Sequence, residues 1–462
     1  MTRAALLKCL VTATLSLLFA PVAAQGGSNA LDQFLKESGN SFVLVNARLI
    51  DGTGAPAREN ETLVIEGGRI TGVGNGSPIP DGAKRIDLAG HTVLPGLVMM
   101  HEHINYFSGV AVWDSMPVSV PKLLLAAGVT TARTAGAEAP QNDLNLKRRI
   151  DTGRAPGPRL FVTGAYLNGP SGGFLGDNVV ETPEQAKAIT AFWGSRGATS
   201  MKVYSAISPA ALQGAVEEAN HRGMHVAGHI GEISCSEAAN VGIHTIEHGL
   251  GSCVKDFGIA PDAIGSFRYD PASSTAKALI SLLVAKGVTI VATPAATEPF
   301  RRSEEELAML SADQRQRFED LVATRPPWLP SETDQASWNL AHREFEKHFV
   351  ESGGRLLIGG DASDWGMVPG YANHQSMIAL VRAGFTPLQV IRIATSDAAS
   401  FLGASDQFGT IAAGKVADLL IVKGAPDRNM EDIRSVAYVF KDGRAFDPLK
   451  LRAAAKGLLG QH

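Results

Sequence analysis

The chain has 462 residues, of which 45% are hydrophobic and 49 are glycine. This length is enough for a full (β/α)8 barrel with a small second domain, and it allows a large buried core. The formal net charge of −4 is mildly acidic, and the sequence contains no basic patch, which argues against nucleic acid or a membrane surface as the partner. The composition is that of a turn-rich globular enzyme.

The amino terminus has the pattern of a cleavable secretory signal. Arg3 and Lys8 accompany an apolar stretch at 9–20, and small residues at 22–24 precede the polar segment 25–29. The apolar stretch is too short to span a bilayer. A buried helix is the alternative, but polar residues stand where that helix would have to continue. We therefore expect a secreted or periplasmic protein that begins after residue 24.

Two of the three cysteines belong to the expected mature chain. Cys9 leaves with the signal, whereas Cys235 and Cys253 remain. An oxidising compartment would allow one disulfide, but the sequence alone leaves the pairing open. Loss of two basic and no acidic residues with the signal shifts the charge from −4 to −6.

Both ends of the chain contain strand-like runs separated by Gly, Asp and Pro, which predicts antiparallel hairpins. The runs are Phe42–Leu49, Thr62–Ile70 and Lys84–Leu88 near the start, and Gly409–Val422 and Val436–Phe446 near the end, with turns at Gly414 and Asp442-Gly443. We infer one β-sandwich built from residues 25–95 and 401–462, with a barrel of residues 96–400 inserted between them.

Between these ends, short apolar runs alternate with helix-like stretches, the pattern of βαβ units in a parallel sheet. Eight runs are assigned as strands: Thr92–His103, Val129–Thr134, Arg159–Thr163, Ser200–Tyr204, Met224–His229, Ile243–His248, Val288–Thr293 and Arg355–Asp361. Eight such units close into a barrel whose chemistry lies at the carboxyl ends of the strands. The predicted fold class is therefore α/β, a (β/α)8 TIM barrel with a small β-sandwich domain formed from both chain ends.

Residues 299–338 form an excursion after the seventh predicted strand. They contain the charged run RRSEEE, a helix-like segment Ala312–Ala323 and the proline-rich run RPPWLPSE. A lid over the active site and a solvated surface insertion are equally compatible with this composition.

The first predicted strand, TVLPGLVMMHEH, ends in two histidines that are two residues apart. Because residues two apart on a strand share a face, His101 and His103 project together while Glu102 points into the opposite layer. One metal ion could take both imidazoles. An isolated HxH is equally compatible with polar residues at a strand rim, so partners elsewhere must decide.

Four other predicted strands end in polar groups. The fourth ends MKVY, with Lys202 and Tyr204 on one face, and the fifth ends in His229. The sixth ends IEHG, with His248, and the eighth ends GGD, with Asp361. In a barrel this end of the strands carries the catalytic residues. The five strands together predict a metal site at the barrel mouth.

Lys202 is the unusual member, because an ammonium has no lone pair and would repel a cation. Burial would favour its free amine, which can add carbon dioxide to become a carbamate, an anionic ligand able to bridge two metal ions. Two histidines on each ion and a shared carboxylate would give a two-metal site that polarises a carbonyl and activates water near neutral pH.

The ordered set resembles the metal-dependent amidohydrolase superfamily: HEH at His101, MKVY at Lys202, HVAGHI at His229, TIEHG at His248 and GGD at Asp361. The resemblance covers nearly the whole mature chain, including LPG before HEH, GVTT at Gly128–Thr131 and IAAGKVADLLIV near the end. IEHG and GKVADL are most similar to the imidazolonepropionase-like and Xaa-Pro dipeptidase-like branch. Secreted members of that branch, including ochratoxin-hydrolysing amidases, cleave amide bonds next to a carboxylate-bearing amino acid.

The resemblance implies two zinc ions per chain as the expected cofactors. It implies that the first ion is held by His101, His103 and Asp361 and the second by His229 and His248, with carbamylated Lys202 bridging them. Two positions depart from the pattern. Gly231 stands where relatives often have a histidine, and Thr134 stands where they often have an acidic residue, which puts ligand tuning and leaving-group protonation in doubt.

Two further residues are candidates for substrate contact. Tyr204 faces the same mouth as Lys202, where it could hold a substrate carboxylate or a polarised carbonyl. His374 is expected in the first turn of the helix after the eighth strand, where substrate contact and helix packing are both open.

The expected reaction is hydrolysis of a peptide-like amide bond by metal-bound hydroxide, with Asp361 as general base and then general acid. Cleavage of a cyclic amide, lactone or carbamate on the same site is the rival, because only pocket contacts separate these substrates. A non-catalytic metal-binding pseudoenzyme is a remote alternative, since all six ligand positions are filled. The expected partner is a small-molecule or dipeptide-like substrate, and homo-oligomer formation is open.

Overall fold

The computed structural model describes residues 30–107, 113–172, 178–259, 267–297, 302–325 and 331–461. The predicted signal at residues 1–24 lies outside these ranges, as do parts of the excursion at 299–338. Across the described ranges, no helix combines the length and apolar character needed to cross a membrane.

Strands from both ends of the chain share one nine-stranded sheet. Its order is β1-β21-β20-β19-β6-β2-β3-β4, and β5 also pairs with β2. The strands are β1 Leu35–Glu37, β2 Ser41–Leu49, β3 Arg58–Glu66, β4 Arg69–Val73, β5 Lys84–Asp87, β6 His91–Pro95, β19 Leu419–Lys423, β20 Val436–Lys441 and β21 Arg444–Phe446. Both chain ends therefore meet in one sheet, whereas its division into the two layers of a sandwich stays a prediction.

Three details of the predicted sheet are corrected. Thr62–Ile70 is not one strand, because Gly67 and Gly68 adopt left-handed backbone angles of φ 56° and 84° and turn the chain between β3 and β4. β5 runs parallel to β2, since residues 74–83 carry the chain back to the start of that strand. Only the end of Gly409–Val422 is a strand, β19.

A second set of parallel strands forms the barrel. The strands are β7 Leu97–Glu102, β10 Val129–Thr134, β11 Arg159–Phe161, β12 Thr163–Asn168, β14 Ser200–Val203, β15 His225–Gly228, β16 Thr245–Glu247, β17 Thr289–Ala292 and β18 Arg355–Ile358. The sheets β11-β10-β7 and β12-β14-β15-β16-β17-β18 are parallel throughout. The main-chain amide of Asp361 donates to the His101 carbonyl at 3.1 Å, which brings the last strand against the first. The eight predicted strand positions are thus occupied in the predicted order.

Two predicted barrel strands are each divided in the structure. Thr92–His103 breaks at Gly96 into β6 of the nine-stranded sheet and β7 of the barrel. A Cβ at Gly96 would lie 2.2 Å from Thr130 Oγ1. The glycine allows the close approach at which the chain passes from one sheet to the other. Arg159–Thr163 is also divided, into β11 and the longer β12.

Helices alternate with the barrel strands. They are α1 Val120–Ala126, α2 Pro140–Asp151, α3 Pro183–Arg196, α4 Pro209–His221, α5 Cys235–Val241, α6 Ser274–Ala285, α7 Glu304–Leu307, α8 Ala312–Thr324, α9 Glu332–Glu351, α10 Tyr371–Arg382, α11 Pro387–Arg392, α12 Ala398–Phe401 and α13 Pro448–Ala453. Short strands also occur in connections: β8 Asn105–Phe107, β9 Trp113–Ser115 and β13 Asn178–Val179. The ends of α3 show how nearby residues delimit a helix. Thr182 caps its start in a capping box with Gln185, and Gly197 ends it in the left-handed conformation at φ 102°.

The cysteine pairing that the sequence left open is resolved by the structure. Cys235, the first residue of α5, forms a disulfide with Cys253, and their Cα atoms are 5.1 Å apart. The bond ties α5 to the segment that follows the sixth barrel strand.

Candidate active site

All six predicted ligands line one cavity of about 320 Å³ at the carboxyl ends of the barrel strands. The lining side chains are His101, His103, Asn105, Trp113, Tyr166, Lys202, Tyr204, His229, His248, Ala296, Asp361, Ser363, Asp364, Trp365 and Met367. The parallel strands deliver the six predicted ligands to one mouth although His101 and Asp361 are 260 positions apart in sequence.

Asp361 lies at the centre of the polar cluster. Its Oδ1 is 3.3 Å from His101 Nε2 and 3.1 Å from His103 Nε2, and its Oδ2 is 3.4 Å from His248 Nδ1. Burial alone would raise the pKa of Asp361, but the neighbouring histidines hold it well below its usual value. The carboxylate is therefore ionised, with one oxygen facing the HxH pair and the other facing the sixth strand.

The backbone is strained at two of these positions. His248 and Asp361 have φ angles of 62° and 51°, in the left-handed region that residues other than glycine seldom adopt. Strain of this kind persists where the surrounding structure holds it in place, and it clusters at functional sites. Both residues lie just beyond the ends of β16 and β18, so the strained turns aim their side chains into the mouth.

His229 forms the opposite side of the cluster. Its ring centroid is 4.6 Å from that of His248, and Tyr204 stacks on it at 4.6 Å with an interplanar angle of 23°. Burial and the charge of Lys202 lower the pKa of His229 to about 4. The pKa of His248 is also lowered, first by burial and then by His229. Both imidazoles are therefore neutral at neutral pH and keep a lone pair available.

Lys202 is buried in the middle of β14, with 1% of its surface exposed. Its amine makes no hydrogen bond or ion pair within the described part of the chain. Burial lowers its pKa to about 8, although Glu247 and Asp361 act in the opposite direction. An appreciable fraction of the side chain is therefore a free amine near neutral pH.

The residues present fit a metal ion. Ligand atoms of His101, His248 and Asp361 all lie within 4.8 Å of one another. Imidazole nitrogens and an ionised carboxylate are donors that suit zinc and similar divalent ions. The pKa of His248 is lowered, whereas Asp361 and Glu247 raise that of His101 against its burial, so a metal ion would displace a proton from His101. His103 carries a buried Nδ1 without a hydrogen-bond partner among the described residues, next to this cluster.

A buried ion pair between Arg133 and Glu247 supports the cluster on the side of His101 that faces away from Asp361. Glu247 Oε2 is 2.6 Å from His101 Nδ1, and the same carboxylate accepts hydrogen bonds from Arg133 Nη2 at 2.8 and 3.0 Å and from Thr245 at 2.6 Å. Arg133 also donates to the Met100 carbonyl at 2.8 Å. Despite burial, Arg133 and His101 keep the pKa of Glu247 well below its usual value. An ionised Glu247 holds the proton of His101 on Nδ1 and leaves Nε2 facing Asp361.

Glu102 forms a second support. As predicted from the alternation of the strand, its side chain points away from the cavity. Its Oε1 accepts from Gly360 N at 2.8 Å and from Asn373 Nδ2 at 2.6 Å. Because Gly360 precedes Asp361, these bonds fix the loop that delivers the carboxylate.

Of the two candidate substrate residues, Tyr204 lines the cavity and His374 does not. Tyr204 lines the cavity beside His229, as expected. His374 is not among the residues that line this cavity. Its Nε2 lies 2.8 Å from the Ala127 carbonyl oxygen, and it lines a neighbouring cavity of about 630 Å³ that shares Met367 with the site. Substrate contact and helix packing therefore both stay open for His374.

Several residues that line or support the cavity were missed from the sequence. Tyr166 was missed because the third strand was ended at Thr163, whereas β12 continues to Asn168 and places Tyr166 at the mouth. Arg133 was missed because its partner Glu247 lies on a strand that is distant in the chain. Asp364, whose pKa is raised to about 7 by burial and by Asp361, follows GGD closely in sequence. The second aspartate of GGDASD, three residues after Asp361, was a sequence signal that could have identified Asp364.

The fold and the site together define a class of protein: a parallel α/β barrel that carries a histidine, lysine and aspartate cluster at its catalytic end. The amidohydrolase family model matches residues 92–446, which include every residue of this cluster. The chain belongs to the amidohydrolase family, as the sequence motifs predicted.

Comparison with curated proteins gives two partial matches. The chain is 36% identical over 93 residues to an N-acyl-D-aspartate deacylase of Alcaligenes xylosoxydans xylosoxydans, covering 20% of this chain and 17% of that protein. It is 30% identical over 107 residues to an imidazolonepropionase of Streptomyces avermitilis, covering 23% of this chain and 26% of that protein. The matched segments thus span about a quarter or less of these relatives.

Solved structures share the fold over most of their length. A Xaa-Pro dipeptidase superposes with a TM-score of 0.68 at 22% identity, covering 88% of this chain and 100% of that chain. An ochratoxinase of A. niger superposes with a TM-score of 0.65 at 19% identity, covering 89% of this chain and 96% of that chain. At these identities the comparison shows the barrel fold alone.

Proposed function

We propose that the protein is a secreted metal-dependent amidohydrolase that cleaves a peptide-like amide bond next to a carboxylate-bearing amino acid. The observation that carries the proposal is the convergence of four histidines, a buried lysine and an ionised aspartate from five strand ends on one cavity. A Xaa-Pro dipeptidase and an ochratoxinase share the fold, and this similarity supports an amide substrate.

We assign the ligands of two zinc ions as the sequence resemblance implies. His101, His103 and Asp361 would hold the first ion and His229 and His248 the second. Bound there, divalent ions would polarise the scissile carbonyl and lower the pKa of water. The neutral state of His229 and His248 and the ionised state of Asp361 support this assignment.

Lys202 would bridge the ions as a carbamate. Its free amine adds carbon dioxide and loses one proton, which converts a group unable to bind metal into an anionic ligand with two oxygens. The lowered pKa of about 8 and the absence of a partner for the amine in the described part of the chain support this modification.

Asp361 would move the proton. Its Oδ2 accepts a proton from the attacking water and passes it to the leaving nitrogen, which departs as a neutral amine. Tyr204 and Tyr166, whose rings are 5.5 Å apart on one wall of the cavity, are placed to donate hydrogen bonds to the carbonyl or carboxylate of a substrate.

Secretion is part of the proposal. The signal-like amino terminus and the disulfide between Cys235 and Cys253 support an oxidising compartment. Protein recovered from its native host should lack residues 1–24. An intact Met1 in mature material would reject secretion while leaving the chemistry untouched.

A dipeptide panel tests the activity. Purified protein should hydrolyse at least one dipeptide or N-acyl amino acid, lose that activity on treatment with a chelator, and regain it with zinc. The partial match to imidazolonepropionase makes a cyclic amide the second candidate, so cyclic amides and lactones belong on the panel. Cleavage of only these ring substrates would replace the proposed substrate class, and metal binding without any turnover would indicate a pseudoenzyme.

A further inference from the structure

Helix α9 forms one wall of a second, smaller cavity that continues from the metal cluster. This cavity has a volume of about 170 Å³, and His248 and Ala296 line both cavities. Trp338, His342 and Glu346 are spaced four residues apart on α9, so they share one helix face, and that face lines the cavity with Asn339 and Arg343. The wall therefore begins beside a proposed metal ligand.

Glycines after His248 let the helix approach this closely. A Cβ at Gly249 would lie 3.1 Å from Glu346 Oε1, and a Cβ at Gly251 would lie 3.3 Å from His342 Cε1. Side chains at these two positions would press against α9. The polar face of α9 and the strand end that carries His248 are thus held in direct proximity.

Two buried polar atoms on this wall have no partner. Asn339 and His342 are 5% and 8% exposed, and neither Asn339 Oδ1 nor His342 Nε2 has a hydrogen-bond partner among the described residues. A buried polar atom left unpaired typically costs about 1–3 kcal/mol, so such atoms nearly always have partners. The cavity is far larger than the roughly 10–15 Å³ that one water needs, so it has room for a polar group that would satisfy both atoms.

The chemistry of the wall favours a ligand that donates hydrogen bonds. Asn339 Oδ1 is an acceptor only, and burial lowers the pKa of His342 to about 3, so its ring is neutral and keeps a lone pair. Glu346 is 3% exposed, and burial raises its pKa to about 8 while Arg343 acts in the opposite direction. Its carboxyl group is a further acceptor, and an entering cation would favour its ionised form.

We propose that this cavity is the substrate side-chain subsite, and that Asn339, His342 and Glu346 select substrates whose side chain ends in a nitrogen group with several N–H donors. An amide, an ammonium and a guanidinium share this chemistry. The inference deepens the proposed function and rests on it for the position of the scissile bond, because the subsite adjoins His248.

Isosteric substrates test the subsite on the zinc-loaded protein. Glutamine and methionine dipeptides place a donor group or an apolar group in the same volume, and norleucine keeps the aliphatic chain of lysine without its ammonium. We expect kcat/KM to favour the donor-bearing member at least tenfold, because an apolar end leaves Asn339 Oδ1 and His342 Nε2 unpaired. Equal kcat/KM for both members of each pair would overturn the inference while leaving amide hydrolysis intact.

Two variants assign the selection to named residues. Asn339→Leu should bring the glutamine-to-methionine ratio close to one, and Glu346→Gln should reduce lysine turnover by at least tenfold while norleucine turnover changes less than threefold. Glu344→Gln, at an exposed position of the same helix, is the matched control and should leave all ratios unchanged. A purely structural role would lower turnover of both members equally, which would contradict the inference.

A binding measurement separates this inference from the proposed reaction. If no peptide is cleaved, the proposed function fails, and calorimetry with free glutamine, lysine and norleucine on the zinc-loaded protein tests the subsite alone. Glutamine or lysine should bind at least tenfold more tightly than norleucine, and Asn339→Leu should remove the difference for glutamine. Equal dissociation constants for the three amino acids would reject the subsite.

Discussion

Replacement of Glu247 by glutamine tests how the protein prepares His101 for a metal ion. The carboxylate accepts from His101 Nδ1, Arg133 and Thr245, with contacts of 2.6 to 3.0 Å. Glutamine retains the shape but offers one oxygen and one N–H group in place of two anionic oxygens. The proton on His101 would no longer be held on Nδ1, so Nε2 would be a poorer ligand.

Two effects of different size follow from these contacts. Loss of a carboxylate that orients a ligating histidine typically weakens metal affinity by about 10–100-fold, which corresponds to ~1.4–2.8 kcal/mol. The change also leaves Arg133, which is 1% exposed, without its counter-charge. Breaking a buried ion pair in this way costs ~3–5 kcal/mol, so stability of the metal-free protein should fall by more than metal binding does.

Competition with a chelator measures the metal dissociation constant, and thermal or denaturant unfolding of the metal-free protein measures stability. The double variant Arg133→Met/Glu247→Gln removes both charges, so it should recover part of the stability without recovering metal affinity. Thr245→Val removes one hydrogen bond and keeps the carboxylate, and its dissociation constant should change less than about threefold. A dissociation constant for Glu247→Gln within twofold of wild type would refute the role of Glu247 in preparing His101 for metal.

Three further predictions concern charge and metal content. Active protein should contain close to two divalent ions per chain by elemental analysis, and a one-to-one ratio in a fully active preparation would contradict the two-ion site. Lys202→Ala should lose metal and activity and recover part of both with a short-chain carboxylic acid, whereas full activity without the acid would reject the carbamate. Because the pKa of Glu346 rises from 4.5 to about 8 on folding, the stability associated with its neutral form is fully present below pH 4.5 and is lost as pH rises toward 8 and beyond. Unfolding measured from pH 5 to 9 should therefore show wild type losing stability relative to Glu346→Gln, and parallel curves would contradict the buried neutral carboxyl.

The barrel and its six candidate ligands were predictable because each signal is local. The alternation of HEH on one strand, the apolar runs that precede His229 and His248, and the glycines before Asp361 all lie within a few residues of the group they deliver. Parallel strands then bring their carboxyl ends together whatever the sequence separation. The order of the strands along the chain was enough to place these groups in one mouth.

Features that depend on contacts between distant segments were not predictable. The first run breaks at Gly96, where the chain lies close to Thr130, a neighbour that the local pattern does not contain. The pairing of Arg133 with Glu247 crosses the barrel interior, and each residue alone reads as an ordinary charge on a strand. The buried polar face of α9 could not be predicted from the sequence. Trp338 and Glu346 lie in a charge-rich helix, and contacts with distant segments decide which of its sides is buried.

We propose that Asp361 both binds metal and moves the proton in amide hydrolysis. The direct measurement is kcat, KM and metal content of Asp361→Asn and wild type on one good amide substrate. Asparagine keeps the shape but loses the basicity, and general acid–base catalysis is typically worth ~10²–10⁴ in rate. We predict that kcat falls by about that factor while KM changes little and much of the metal stays bound through the four histidines and Lys202. A variant with full metal content and near-normal kcat would contradict the account.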